Sequence, residues 1–262
     1  MKNPLLWLAI LLVAVGGGAY YYWRSSIVEA PPPPPPVAAA APAPAPLEPP
    51  PILHPVPDPQ PGAEPLPTVA DSDGLVASAL GGLVGRDAFA RFFVPDGLVR
   101  RFVATVDNLP RKTIAQRVLP VKPVPGAFVV AGRDDTLAIG GDNALRYRPY
   151  VAVMEAAEAK KLVATYVRFY PLFQTAYQEL GYPKGYFNDR LVLAIDDMLA
   201  APDVATPRLV QPKVLYQYAD ADLEERSAGQ KIMLRMGTAN AARVKEKLRA
   251  IRKELTGQLT PP

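Results

Sequence analysis

Eighteen of the 32 prolines in this 262-residue chain fall between Pro31 and Pro67. Proline fixes φ and brings no amide donor, so helix and sheet ladders are excluded across that stretch. From Glu29 to Ala70 there are four acids and no base. The composition predicts polyproline II, a semi-rigid spacer advancing about 3.1 Å per residue. Several PxxP-like windows would suit a proline-binding partner, but any tract this rich contains them. The expectation is a tether, and the fold must be sought on its far side.

On its near side, Leu5 to Trp23 runs 19 residues without a charge. As a helix it would be roughly 28 Å long, close to the hydrocarbon thickness of a bilayer. Lys2 and Arg24 flank it, and Tyr20, Tyr21, Tyr22 and Trp23 close it with rings suited to the headgroup level. Gly17-Gly18-Ala19 offers a cleavage site to the competing reading, a signal peptide. Cleavage there would leave four aromatic residues at a new N-terminus, so an uncleaved single-pass anchor is expected. Lys2 and the α-amino group tilt the N-terminus inward, and no Lys or Arg follows Arg24 until Arg86. The expected layout is a stub over 1–4, an anchor over 5–23 in the inner membrane and a Pro/Ala-rich disordered linker over 24–70. A helical domain over 71–262 follows on the periplasmic side.

Two scarcities narrow the chemistry of that domain. Cysteine is absent, and the one histidine, His54, lies in the proline tract. A thiolate nucleophile, a Cys/His zinc site, a Ser-His-Asp triad and histidine acid–base catalysis are therefore all excluded from residues 71–262.

Most of the domain reads at helical period. Leu98, Phe102 and Val106 repeat every four residues behind Asp96, which suits an N-cap. Pro149 suits the first turn of a helix with Val151 and Met154. The longest stripe is Leu162, Tyr166, Phe169, Phe173, Ala176 and Leu180, with Pro171 expected to kink or split it. Phe187, Leu191, Ile195 and Met198 follow a Gly-Tyr-Pro turn, and two last helices are expected after Asp220 and Thr238. Phe128–Ala131 and Thr136–Ile139 flank a turn and predict a hairpin, with Leu209–Tyr218 supplying one more extended piece. The fold class is mainly α, a helical domain with a small β-hairpin behind a transmembrane helix and a Pro-rich linker.

Four blocks carry a resemblance: Phe102–Pro110 (FVATVDNLP), Phe169–Gln174 (FYPLFQ), Gly181–Leu191 (GYPKGYFNDRL), and Ser227–Lys231 with Leu234–Gly237 (SAGQK, LRMG). Together they resemble an uncharacterised bacterial family, domain of unknown function 3014, over roughly Asp71 to Leu255. The resemblance implies an N-terminally anchored envelope protein and brings no activity, ligand or catalytic residue.

The segment Gly181–Arg190 is the leading candidate for a ligand-binding surface. Tyr182, Tyr186, Phe187, Asn188, Asp189 and Arg190 lie between two helices, and Tyr170 and Tyr177 fall partly off the core stripe, where they would extend an aromatic patch. The structural alternative is a helix end at Gly181, a cap at Asn188 or Asp189, and an Arg190 that pairs with a carboxylate. No cofactor is expected. No metal site is expected either: Asp220–Glu225 lacks the glycine and final glutamate of a calcium loop, and Asp196 and Asp197 point to different helical faces.

The basic residues Arg243, Lys245, Lys247, Arg249, Arg252 and Lys253 read as one solvated helix face, or as a contact for anionic lipid or wall polymer. Nucleic acid is not expected as a partner, and the oligomeric state is open. The functional expectation is a non-catalytic binding or scaffolding module, its partner the membrane and another envelope protein or wall polymer. The alternative is a cell-wall glycan hydrolase with one glutamate acid among Glu155, Glu158 and Glu179.

Overall fold

The computed structural model describes residues 51–57 and 64–257. The apolar run 5–23 and most of the proline tract lie outside the described residues. Among those described, no helix is long and apolar enough to cross a membrane.

Three helices open the domain: α1 (Asp73–Val84), α2 (Arg86–Phe92) and α3 (Leu98–Asn108). Asp96 does not cap α3. The turn passes through Gly97 at φ 65°, and the Asp73 carboxylate reaches across from α1 to accept from Gly97 N (2.7 Å) and Leu98 N (2.9 Å). A negative group on these first amides also complements the helix dipole. The packed body includes residues that composition assigns to the linker. A 3-10 turn over Val69–Asp71 buries Val69, and Leu66 packs on the same core.

Two small antiparallel hairpins follow, where the sequence predicts one and a loose extended piece. Strands β1 (Val130–Ala131) and β2 (Ala138–Ile139) pair Val130 with Ile139. Strands β3 (Leu209–Val210) and β4 (Gln217–Tyr218) pair Leu209 with Tyr218. An Ala138–Arg208 bridge links them, so the second hairpin is held by the first. The β1–β2 turn needs Gly132: at φ 79° an added Cβ would stand 2.3 Å from the Thr136 carbonyl.

Between the hairpins lie α4 (Arg148–Ala156), α5 (Ala159–Glu179) and α6 (Phe187–Leu199). Pro171 sits inside α5 without splitting it, which leaves the carbonyl of Val167 without its intrahelical donor. The buried stripe of α5 is rotated from the expected one. Val163, Phe169, Leu172, Phe173, Ala176 and Tyr177 are buried, whereas Leu180 is 44% exposed. The helix is flanked on two sides, by α3 and by α9, and so buries a wider face than one stripe.

The chain closes with α7 (Ala221–Glu224), α8 (Ala228–Arg235) and α9 (Thr238–Gly257). Asp220 caps α7, and Ser227 starts the additional helix α8 by accepting from Gln230 N at 3.1 Å. One core joins α1, α3, α5 and the start of α6 around Val99, Val103, Phe169 and Phe187. A second joins α4, α5, α6, α8 and α9 around Val163, Met233 and Val244. Helices α5 and α6 border both, and the turn between them carries the candidate site.

Candidate functional site

After α5 the chain passes Gly181 at φ 119° and closes a tight turn in which Gly185 N donates to Tyr182 O at 3.0 Å. Gly185 is required by space: a Cβ there would lie 2.9 Å from Tyr177 Cε1 and 3.1 Å from Tyr182 Cβ. The two tyrosines stack beneath it, centroids 4.5 Å apart at 16°. Gln174 fixes the turn from within α5. Its Nε2 donates to Gly185 O (2.7 Å), while its Oε1 accepts from Phe187 N (2.8 Å) and Tyr170 Oη (3.0 Å). Helix α6 is thus capped from outside, and Asn188 and Asp189 are released from that task.

Both residues turn instead to the segment 51–57. The Asp189 carboxylate accepts from two consecutive amides, Leu53 N to Oδ2 (3.1 Å) and His54 N to Oδ1 (2.7 Å). Asn188 Nδ2 donates to His54 O at 2.9 Å, and its Oδ1 accepts from Tyr166 Oη at 3.0 Å. In a straight extended chain, successive amides point to opposite sides. The chain bends at Leu53 and His54, which lets one carboxylate reach both. Asn188 is fully buried, held between Tyr166 and the segment.

Arg190 faces the other way, into a network around the buried Asp107 of α3. Its Nε lies 3.1 Å from Asp107 Oδ1, and a terminal nitrogen donates to the Asp107 carbonyl. Arg111 donates to Asp107 Oδ2 at 2.9 Å and to Tyr182 Oη at 2.6 Å. The Asp107 charge in turn raises the Arg111 pKa above its ordinary value. Just beyond, Ala228 N and Gly229 N donate to the carbonyls of Arg111 (2.6 Å) and Leu109 (2.9 Å). Ser227 Oγ and Gln230 Nε2 bind the Asp197 carboxylate at 2.6 Å and 3.0 Å. Three of the quoted sequence blocks therefore meet around the ends of α3, α6 and α8.

The candidate residues divide accordingly. Asn188 and Asp189 hold the segment, while Tyr182 and Arg190 belong to the Asp107 network. Tyr170 and Tyr186 are half-buried at the turn. Burial pushes the Tyr170 phenol up to about 12. Two expectations are corrected: Phe187 and Tyr177 are interior residues, at 0% and 6% exposure. Phe187 packs against Phe102, Phe173 and Tyr177 where α6 enters the core, and Tyr177 lies on the wide buried face of α5. Sequence reading missed Gln174, Tyr166 and Asp107. The available signal was an acid at a core-facing position of α3 and an amide ending the FYPLFQ block.

The glutamates of the hydrolase alternative occupy surface ion pairs. Glu155 pairs with Arg243, Glu158 with Lys161 and Glu179 with Arg100, at side-chain exposures of 34%, 57% and 50%. An acid kept protonated needs apolar enclosure, which these positions do not supply. Among the described residues, no three His, Asp or Glu side chains group as metal ligands.

The basic residues of α9 are not one solvated face. Arg243 holds Glu155 and Arg252 holds Asp196. Lys247 donates to the carbonyls of Glu155 and Ala157, and the buried Lys245 donates to Ala201 O (2.7 Å) and Asp203 (2.8 Å).

Fold and site together define a mainly helical domain with two minor hairpins, built around a turn that grips a peptide main chain. Residues 98–252 match the family described as Protein of unknown function (DUF3014), and the chain belongs to that family. No curated protein and no solved structure matches the chain.

Proposed function

We propose that this protein is a single-pass envelope protein of the inner membrane whose periplasmic helical domain is a non-catalytic binding or scaffolding module on a proline-rich tether. One observation carries the reading: with α6 capped by Gln174, Asn188 and Asp189 spend their polar groups on a segment outside the helical body. The charge-free run 5–23 supports the anchor, and the proline tract supports the spacer. A grip made on two consecutive main-chain amides and the carbonyl that follows matches the fixed spacing of a polypeptide backbone, which favours a protein partner over a wall polymer.

The test is photo-crosslinking in living cells from a probe replacing Tyr186, which borders the grip. A discrete adduct with another envelope protein is the expected result. Only intramolecular adducts, from folded and membrane-located protein, would overturn the reading.

A further inference from the structure

The geometry points to a ligand class for this site: a proline-flanked peptide with a local bend, read through its main chain, with residues 51–57 as resident occupant that an external peptide must displace. The inference rests on the domain being a binding module and goes on to name what it binds.

The occupant's sequence fits the grip for a physical reason. Between residues 42 and 61, Ile52-Leu53-His54 is the one run of three residues that all carry an amide N–H. Asp189 takes two of those three donors. Pro55 follows at once and restricts His54 to extended backbone, which presents its carbonyl to Asn188. Leu53-His54-Pro55 is the register the site holds, and Ala40-Ala41-Pro42 and Leu47-Glu48-Pro49 offer the same pattern of two adjacent donors before a proline.

Side chains add little to the recognition. Leu53 is 71% exposed and Ile52 46%, while only His54 and Val56 turn partly inward. A grip of this kind accepts other sequences with the same backbone shape, so its occupant is exchangeable. Beyond Val56 and Pro57 a cavity of about 320 Å³ opens against Val167, Tyr170, Pro171, Gln174 and Thr175. A peptide with a larger side chain at the Val56 position would reach into that space.

Site and occupant are covalently joined, so an external peptide binds with an affinity reduced by the fraction of sites left open. The test uses the full-length chain in detergent micelles and a fluorescent peptide of sequence PPPILHPVP. The double variant Leu53→Pro, His54→Pro deletes both tether amides and leaves every groove residue intact. The peptide should bind this variant at least tenfold more tightly than wild type, and Asp189→Ala added to it should abolish binding. Hydrogen exchange should show the Leu53 and His54 amides protected in wild type and unprotected in Asp189→Ala.

Equal affinity for wild type and double variant, or unprotected amides in wild type, would overturn self-occupation. Failure of the peptide to bind the open variant would overturn the ligand class. A protein adduct from Tyr186 would in that case still stand, so the two readings fail separately.

Discussion

Asp107 on α3 and Arg190 on α6 lie 83 residues apart in sequence, yet Arg190 Nε stands 3.1 Å from the Asp107 carboxylate. Asp107 is 5% exposed and Arg190 is largely covered. The pair fixes α6 to α3 and thereby sets the position of the turn that holds segment 51–57. Removing one partner from a buried pair leaves the other uncompensated, at a cost of about 3–5 kcal/mol. Asp107→Ala should therefore lower the denaturant midpoint strongly. The double replacement Asp107→Leu, Arg190→Met should recover much of the loss, because neither charge is then stranded.

Gln174 joins three groups, Tyr170 Oη, Gly185 O and Phe187 N, that no other side chain among the described residues joins. Gln174→Ala removes the external cap of α6 and should cost about 1–2 kcal/mol in thermal or denaturant melts. Gln174→Glu keeps the acceptor for Phe187 N but sets an oxygen against Gly185 O. It should be at least as destabilising despite its similar shape, and peptide affinity should fall in both variants.

Two glycines should differ from a third. Gly132→Ala drives a Cβ to 2.3 Å from a backbone oxygen at φ 79°, and Gly185→Ala presses on Tyr177 at 2.9 Å. Each should cost about 1–3 kcal/mol. Gly181→Ala meets open space at φ 119° and should show the backbone penalty without a clash, more than about 1 kcal/mol, so that Gly132→Ala, which adds a clash to a positive φ, is the worse of the two. Melting temperatures of the three variants check the order.

Alkali should unfold the domain through its tyrosines. Burial raises Tyr170 and Tyr218 to about 12 and Tyr166 well above its ordinary 10. The folded state thus holds these protons more tightly than the unfolded chain. Their stabilisation is complete below pH 10 and is lost as pH rises from 10 through 12. Melts across that window, with phenolate absorbance as a parallel signal, should show stability falling as these groups ionise. A flat profile would contradict the burial.

Exchanging Glu155, Glu158 and Glu179 singly for glutamine should change stability by less than about 1 kcal/mol each, as for exposed ion pairs. Chemical denaturation checks this directly.

Helical period exposed α3, α5, α6 and α9, and turn chemistry exposed the first hairpin, because these are local effects of neighbouring residues. What escaped reading is long-range. Asp73 rather than Asp96 caps α3 from another helix, and Gln174 rather than Asn188 or Asp189 caps α6. Pairing of Arg190 with a carboxylate was foreseeable, but its partner on α3 was not. A cap from the same segment is written in adjacent residues, whereas one from another helix depends on packing that a linear pattern does not encode. The proline tract hid its bound portion for a similar reason. Composition describes an isolated chain, and Leu53 and His54 acquire partners only once α6 is in place.

Lys245 carries a consequence outside folding and binding. Its ammonium is enclosed between Ala201 O and Asp203, with the side chain 7% exposed. An acylating reagent must make direct contact with the amine nitrogen to react. Lys245 should therefore stay unmodified while exposed lysines such as Lys112 react. Its first labelling in a mass-spectrometric time course marks the moment α9 lifts from the Ala201 turn, a built-in clock for opening of that face.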